Sequence, residues 1–94
     1  MHSIEWERLK NTLAIGDKVQ GIVVAHQPYG VFVELSMTTA QGLIEIPNFK
    51  DVGRMTPDQY PALGTTVVAV VLGFKESGNQ VWLGVKPSQL ATTR

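Results

Sequence analysis

Short β-branched runs, each cut off by a glycine, a proline or a polar turn, constrain this chain more than any other feature. They are KVQGIVVAH (18–26), YGVFVEL (29–35), GLIEIP (42–47), TTVVAVVLGF (65–74) and QVWLGV (80–85). Branching at Cβ restricts χ1 and favours a pleated, half-buried surface over a helix. Alternation within the runs then assigns faces, because successive side chains of a strand point to opposite sides. Val31, Val33 and Leu35 share the face predicted for the core, with Phe32 and Glu34 opposite them. Leu43 and Glu45 lie opposite Ile44 and Ile46, and Gln80, Trp82 and Gly84 point away from the core positions Val81, Leu83 and Val85.

The connections complete the layout. SMTTAQ (36–41) and ESGN (76–79) read as turns, and Gly21 inside the first run marks a bulge or a barrel bend. The longest interruption, 48–63, carries Gly53, Pro57 and Pro61. Its TPDQY stretch fits one helical turn, with Thr56 as cap and Pro57 in first position. Ahead of the strands, SIEWERLKNTL (3–13) reads as a helix. Ser3 is its N-cap, Glu5 and Glu7 favour its positive end, and Trp6, Leu9 and Leu13 form one apolar face that packs on the domain. Lys86 and Pro87 end the last run, and SQLATTR reads as a loose tail. Five short strands at this spacing predict an all-β fold, a five-stranded antiparallel Greek-key barrel of the OB type with a short N-terminal helix. The expected organisation is a helical extension at 1–14, the barrel at 15–87 and the tail at 88–94.

Composition narrows the function. Eight Lys and Arg balance eight Asp and Glu. Dedicated duplex binders carry excess positive charge, whereas a neutral domain binds single strands if stacking supplies much of the energy. With no cysteine, disulfide and thiolate–metal frameworks are excluded, and a reducing cytoplasm is the expected location. The charged opening MHSIEWERLK lacks the apolar stretch of a secretory signal, and no run approaches the roughly 20 apolar residues of a bilayer span. Neither His2 nor His26 has an acid and a nucleophile at a suggestive spacing, so no triad is readable and no enzyme is expected. Two histidines without cysteine make a poor metal site, and Gly16, Gly21 and Gly30 lack the Gly-Lys-Ser/Thr ending of a phosphate loop. No cofactor is expected.

In order and spacing, IGDKVQGIVV, PYGVFVEL, GLIEIP, LGTTVVAVVLGF and QVWLGVK resemble an S1 domain, the RNA-binding OB fold repeated in ribosomal protein S1. In that family the segments run roughly Gly-acid-x-Val-x-Gly-x-Val, aromatic-Gly-x-Phe-Val, Gly-Leu-Val-His-Ile-Ser, Gly-x-x-Val-x-x-x-Val and Ile-x-Leu-Ser-x-Lys. The resemblance covers residues 15 to 86, and the Trp6-x-x-Leu9 helix is similar to the segment preceding such repeats. It implies an RNA surface on one side of the barrel. Tyr29 and Phe32 match its two aromatics, and Gly30 is expected to bend the strand so that Tyr29 turns out beside Phe32. Glu45 stands at the usual histidine and Pro47 at the usual serine. Lys75 replaces a common aspartate, and Gln80 a common arginine or lysine. If Glu45 and Lys75 face each other, the family's His and Asp have become a swapped ion pair. Trp82 extends the stacking surface or packs under the helix against Trp6 or Leu9, the latter being favoured.

The expected function is a non-catalytic, monomeric module binding single-stranded RNA weakly through base stacking, with single-stranded DNA as an alternative ligand and the ribosome or RNA-processing proteins as further partners. Tyr29 and Phe32 stack bases, Lys75 and Lys18 contact phosphates, Gln80 hydrogen-bonds, and Glu45 borders the site. A protein-interaction module on the same scaffold is the alternative, favoured by the neutral charge and the three departures.

Overall fold

A computed structural model describes residues 4–36 and 40–91. The predicted cap Ser3, residues 37–39 of the SMTTAQ turn and the last three residues of the tail lie outside that range. Helix α1 (Ile4–Thr12) is followed by β1 (Lys18–Gln27), β2 (Gly30–Leu35), β3 (Gln41–Glu45), β4 (Thr66–Lys75), β5 (Gln80–Gly84) and helix α2 (Pro87–Ala91). The strands close into a barrel in the order β1-β2-β3-β5-β4. The ladders are antiparallel except β3–β5, which is parallel. The antiparallel expectation is corrected at that one ladder for a topological reason. An odd ring of strands cannot alternate direction all the way round.

The alternating valines fill the interior as read. Val31 and Val33 are fully buried and share a core with Val19, Val23, Leu35, Ile44, Val71, Val81 and Leu83. At the β4–β5 turn, α1 adds Trp6, which meets Phe74 edge-on at 6.0 Å between ring centroids. Trp6 Nε1 donates to Glu76 Oε1 at 3.0 Å, and Lys10 Nζ donates to Glu76 Oε2 at 2.8 Å. This pairing holds the Lys10 ammonium above its ordinary pKa. At the β1–β2 end, the 48–63 connection adds Phe49 and Tyr60, stacked at 5.7 Å, and the Tyr60 hydroxyl donates to the Gln27 carbonyl at 2.8 Å. The predicted turn is a 3-10 turn at Pro57–Gln59 with Thr56 as N-cap.

Three local readings change. The third strand ends at Glu45, and Ile46–Asn48 forms a 3-10 turn because Pro47 cannot donate to a ladder. The bulge in β1 lies between Val23 and Ala25 rather than at Gly21. The tail is not loose. The backbone N–H of Ser88 donates to Asp51 Oδ2 at 2.9 Å, its hydroxyl donates to the other carboxylate oxygen, and Gln89 Nε2 donates to Asn48 Oδ1 at 3.1 Å. The two Ser88 hydrogen bonds hold the Asp51 carboxyl below its ordinary pKa. A polar anchor that the connection supplies helps fix α2, and the tail's own residues carry no sign of it.

Gly30 ends the β1–β2 hairpin and pairs with Glu45 of β3. A Cβ here would lie 2.9 Å from Glu45 Cα and closer still to the Ile44 carbonyl oxygen. Both obstacles are backbone, so neither can swing aside. Gly30→Ala is therefore expected to cost about 1–3 kcal/mol in chemical denaturation, the range for forced overpacking.

Candidate nucleic-acid interface

The ladder registers place the outward side chains of β2, β3, β5 and β4 in rows. One row runs Phe32, Leu43, Trp82, Gly73. A second runs Glu34, Gln41, Gln80, Lys75. Leu43 faces outward by alternation and yet is 1% exposed, flanked by Phe32 and Trp82. The outer surface of these strands thus has an apolar strip beside a polar one. In the polar row, Gln80 Nε2 donates to Gln41 Oε1 at 3.4 Å, while the buried side-chain Oε1 of Gln80 has no hydrogen-bond partner among the described residues.

Tyr29 is not in the strand. Pro28 and Tyr29 form the two-residue turn between Gln27 and Gly30, so the odd spacing to Phe32 comes from the turn and not from a bend at Gly30. The Tyr29 backbone is tied down, since its carbonyl accepts the Ile46 N–H at 3.0 Å. Its ring stays half exposed and meets Phe32 edge-on, 6.1 Å between centroids at 84°. Beside it opens a groove of about 580 Å³ lined by Pro28, Tyr29, Glu45, Pro47, Lys50 and Arg54, among others. Lys50 is steadied by donating to Gln59 Oε1 at 3.0 Å.

The structure therefore brings Tyr29, Phe32 and Glu45 together at one end of the face, and Lys75 and Gln80 at the other. Glu45 and Lys75 do not form the swapped pair. Glu45 lies four residues along β3 from Gln41, the position aligned with Gln80 and Lys75, or about 13 Å at the rise of a strand. The Lys75 ammonium instead sits over the Trp82 ring, 5.5 Å from its centroid. Trp82 points outward as expected, but the aromatic partner under α1 is Phe74. Lys18 is not part of the cluster. It pairs with Val70 on the β1–β4 wall, away from Phe32.

The model of the family described as S1 RNA binding domain matches residues 12–86. The chain belongs to this family. It is 28% identical over 85 residues to small ribosomal subunit protein bS1 of Chlamydia muridarum, covering 89% of this chain and 15% of that protein. The chain thus spans a small part of the curated relatives it matches. Among solved structures, GSP13 of Bacillus subtilis superposes with a TM-score of 0.69 at 26% identity, over 82% of this chain and 58% of that one. The α subunit of aIF2 from Pyrococcus abyssi gives 0.70 at 21% identity, over 80% of this chain and 29% of that one, a likeness of fold.

Sequence reasoning missed Lys50 and Arg54 as residues that line the groove beside Tyr29. They stand in the irregular connection, where no periodicity assigns a side, and only folding brings them beside Tyr29. Phe32 and Tyr29 differ in what they support. Phe32→Ala uncovers Leu43 and should lower stability by about 1–2 kcal/mol, whereas Tyr29→Ala should stay within about 0.5 kcal/mol. Paired urea denaturation curves check both.

Proposed function

We propose that this chain is a non-catalytic, single-stranded RNA-binding module that holds bases by stacking on Tyr29 and Phe32. The observation that carries this reading is the half-exposed Tyr29, edge-to-face with the partly buried Phe32 and lining a groove with Lys50 and Arg54, in a chain of the S1 RNA-binding family. Stacking tolerates any base, and each aromatic contributes about 1–3 kcal/mol. Lys50, Arg54 and Lys75 supply the positive charge along the face, and Gln80 supplies hydrogen bonds in the row beside Lys75. One copy offers a small contact and binds weakly. The matching bS1 protein is several times longer than this chain, and linkage of such modules makes later contacts intramolecular. A parent protein acting in translation or RNA processing fits that arrangement.

A second reading has its own support. Zero net charge, the Glu45 carboxylate in the groove and Gln80 in place of a cation favour a protein partner over phosphate. Salt separates the two. About three neutralised phosphates on a single strand give a slope of log affinity against log salt near −2, whereas apolar protein contacts respond far less.

The test is fluorescence anisotropy with a labelled single-stranded RNA octamer across a salt series. Tyr29→Ala should weaken binding about 5–150-fold, the span of 1–3 kcal/mol, and Lys18→Ala should leave it unchanged. An unaltered affinity in Tyr29→Ala, or no saturable binding at millimolar RNA, contradicts the proposal and favours the protein partner.

A further inference from the structure

Glu45 gives the groove a property that stacking alone lacks. Its carboxylate makes no hydrogen bond or ion pair among the described residues, although Lys50 and Arg54 line the same groove. Lys50 is engaged by Gln59. The residue is only partly exposed, and its backbone is fixed by pairing with Gly30, one residue from Tyr29. A base stacked on Tyr29 therefore presents its edge toward a groove wall that carries an unpaired carboxylate on a fixed backbone.

An ionised carboxylate is an acceptor only. The edge it meets must carry donors, and the four bases differ in this. Guanine offers two adjacent donors, N1–H and the N2 amino group, which match the two carboxylate oxygens. Cytosine and adenine each offer a single amino group. Uracil offers one N–H between two carbonyl oxygens, which the carboxylate repels. The geometry points to Glu45 as a base-selecting residue that makes this groove a guanine site within single-stranded RNA. The inference rests on the RNA-binding reading above and adds the identity of the base. Arg54, exposed on the same groove, holds the phosphate next to that guanine and offsets the repulsion between Glu45 and the strand.

The experiment compares the pentamers UUGUU, UUAUU, UUCUU and UUUUU at one moderate salt concentration. A single guanine avoids self-association of G-rich strands. Wild-type protein should bind UUGUU about 10-fold more tightly than UUUUU, within the range for a bidentate base contact, with the other two between. Glu45→Gln and Glu45→Ala should reduce this ratio to about twofold or less while binding UUUUU at least as well, because a repulsive charge is gone. Retained UUUUU binding also shows that both variants are folded. Equal affinities in the wild type, or a guanine preference that survives in both variants, overturn the selectivity and leave the RNA reading standing. No binding of any pentamer overturns both.

Discussion

The parallel ladder between β3 and β5 is the constraint on which the rest of the structure depends. It is the contact that closes the ring, and its register, from Gln41 beside Gln80 to Ile44 beside Leu83, fixes every outward row. Because of it, Phe32, Leu43 and Trp82 lie side by side although they come from three separate strands. A slip of one residue in that ladder would turn Leu83 outward and Trp82 into the core. Gly42 shows how tight the ladder is, since a Cβ there would run into the Leu83 side chain.

Closure alone does not free a surface for ligands, because both open ends of a small barrel must be covered. At one end α1 supplies Trp6, held by Glu76 and braced on Phe74. At the other end the long connection supplies Phe49 and Tyr60, with His26 edge-on to Tyr60 at 5.2 Å. With the ends covered from inside the chain, the exposed aromatic Tyr29 is left unburied on the face rather than drawn into the core. The same connection carries Lys50 and Arg54 past the β1–β2 turn, so the element that covers the core also charges the groove.

The barrel was legible because alternation in β-branched runs leaves one solution for the core, and Val31, Val33, Val81 and Leu83 all point where the pattern sends them. The helix was legible through the spacing of Trp6, Leu9 and Leu13. The site was legible only in part. Tyr29 and Phe32 could be read as neighbours, yet the reason, a two-residue turn rather than a bent strand, needed the register of Gln27 with Gly30. Which charges meet is set by ladder register and loop path, and neither leaves a trace in local composition. That is why the conditional Glu45–Lys75 pair does not form, Lys18 lies on a different wall from Phe32, and the Asp51 anchor of α2 has no signal in the sequence.

RNA is proposed to lie on the outer face of β2, β3 and β5. Amide chemical-shift mapping during titration with a short single-stranded RNA tests it most directly. Saturable, salt-sensitive shifts are expected at Tyr29, Gly30, Phe32, Glu45, Lys50 and Arg54, continuing to Trp82, Lys75 and Gln80, with Lys18 and Val68 on the opposite wall silent. Shifts centred on the β1–β4 wall, or a flat titration, would contradict it.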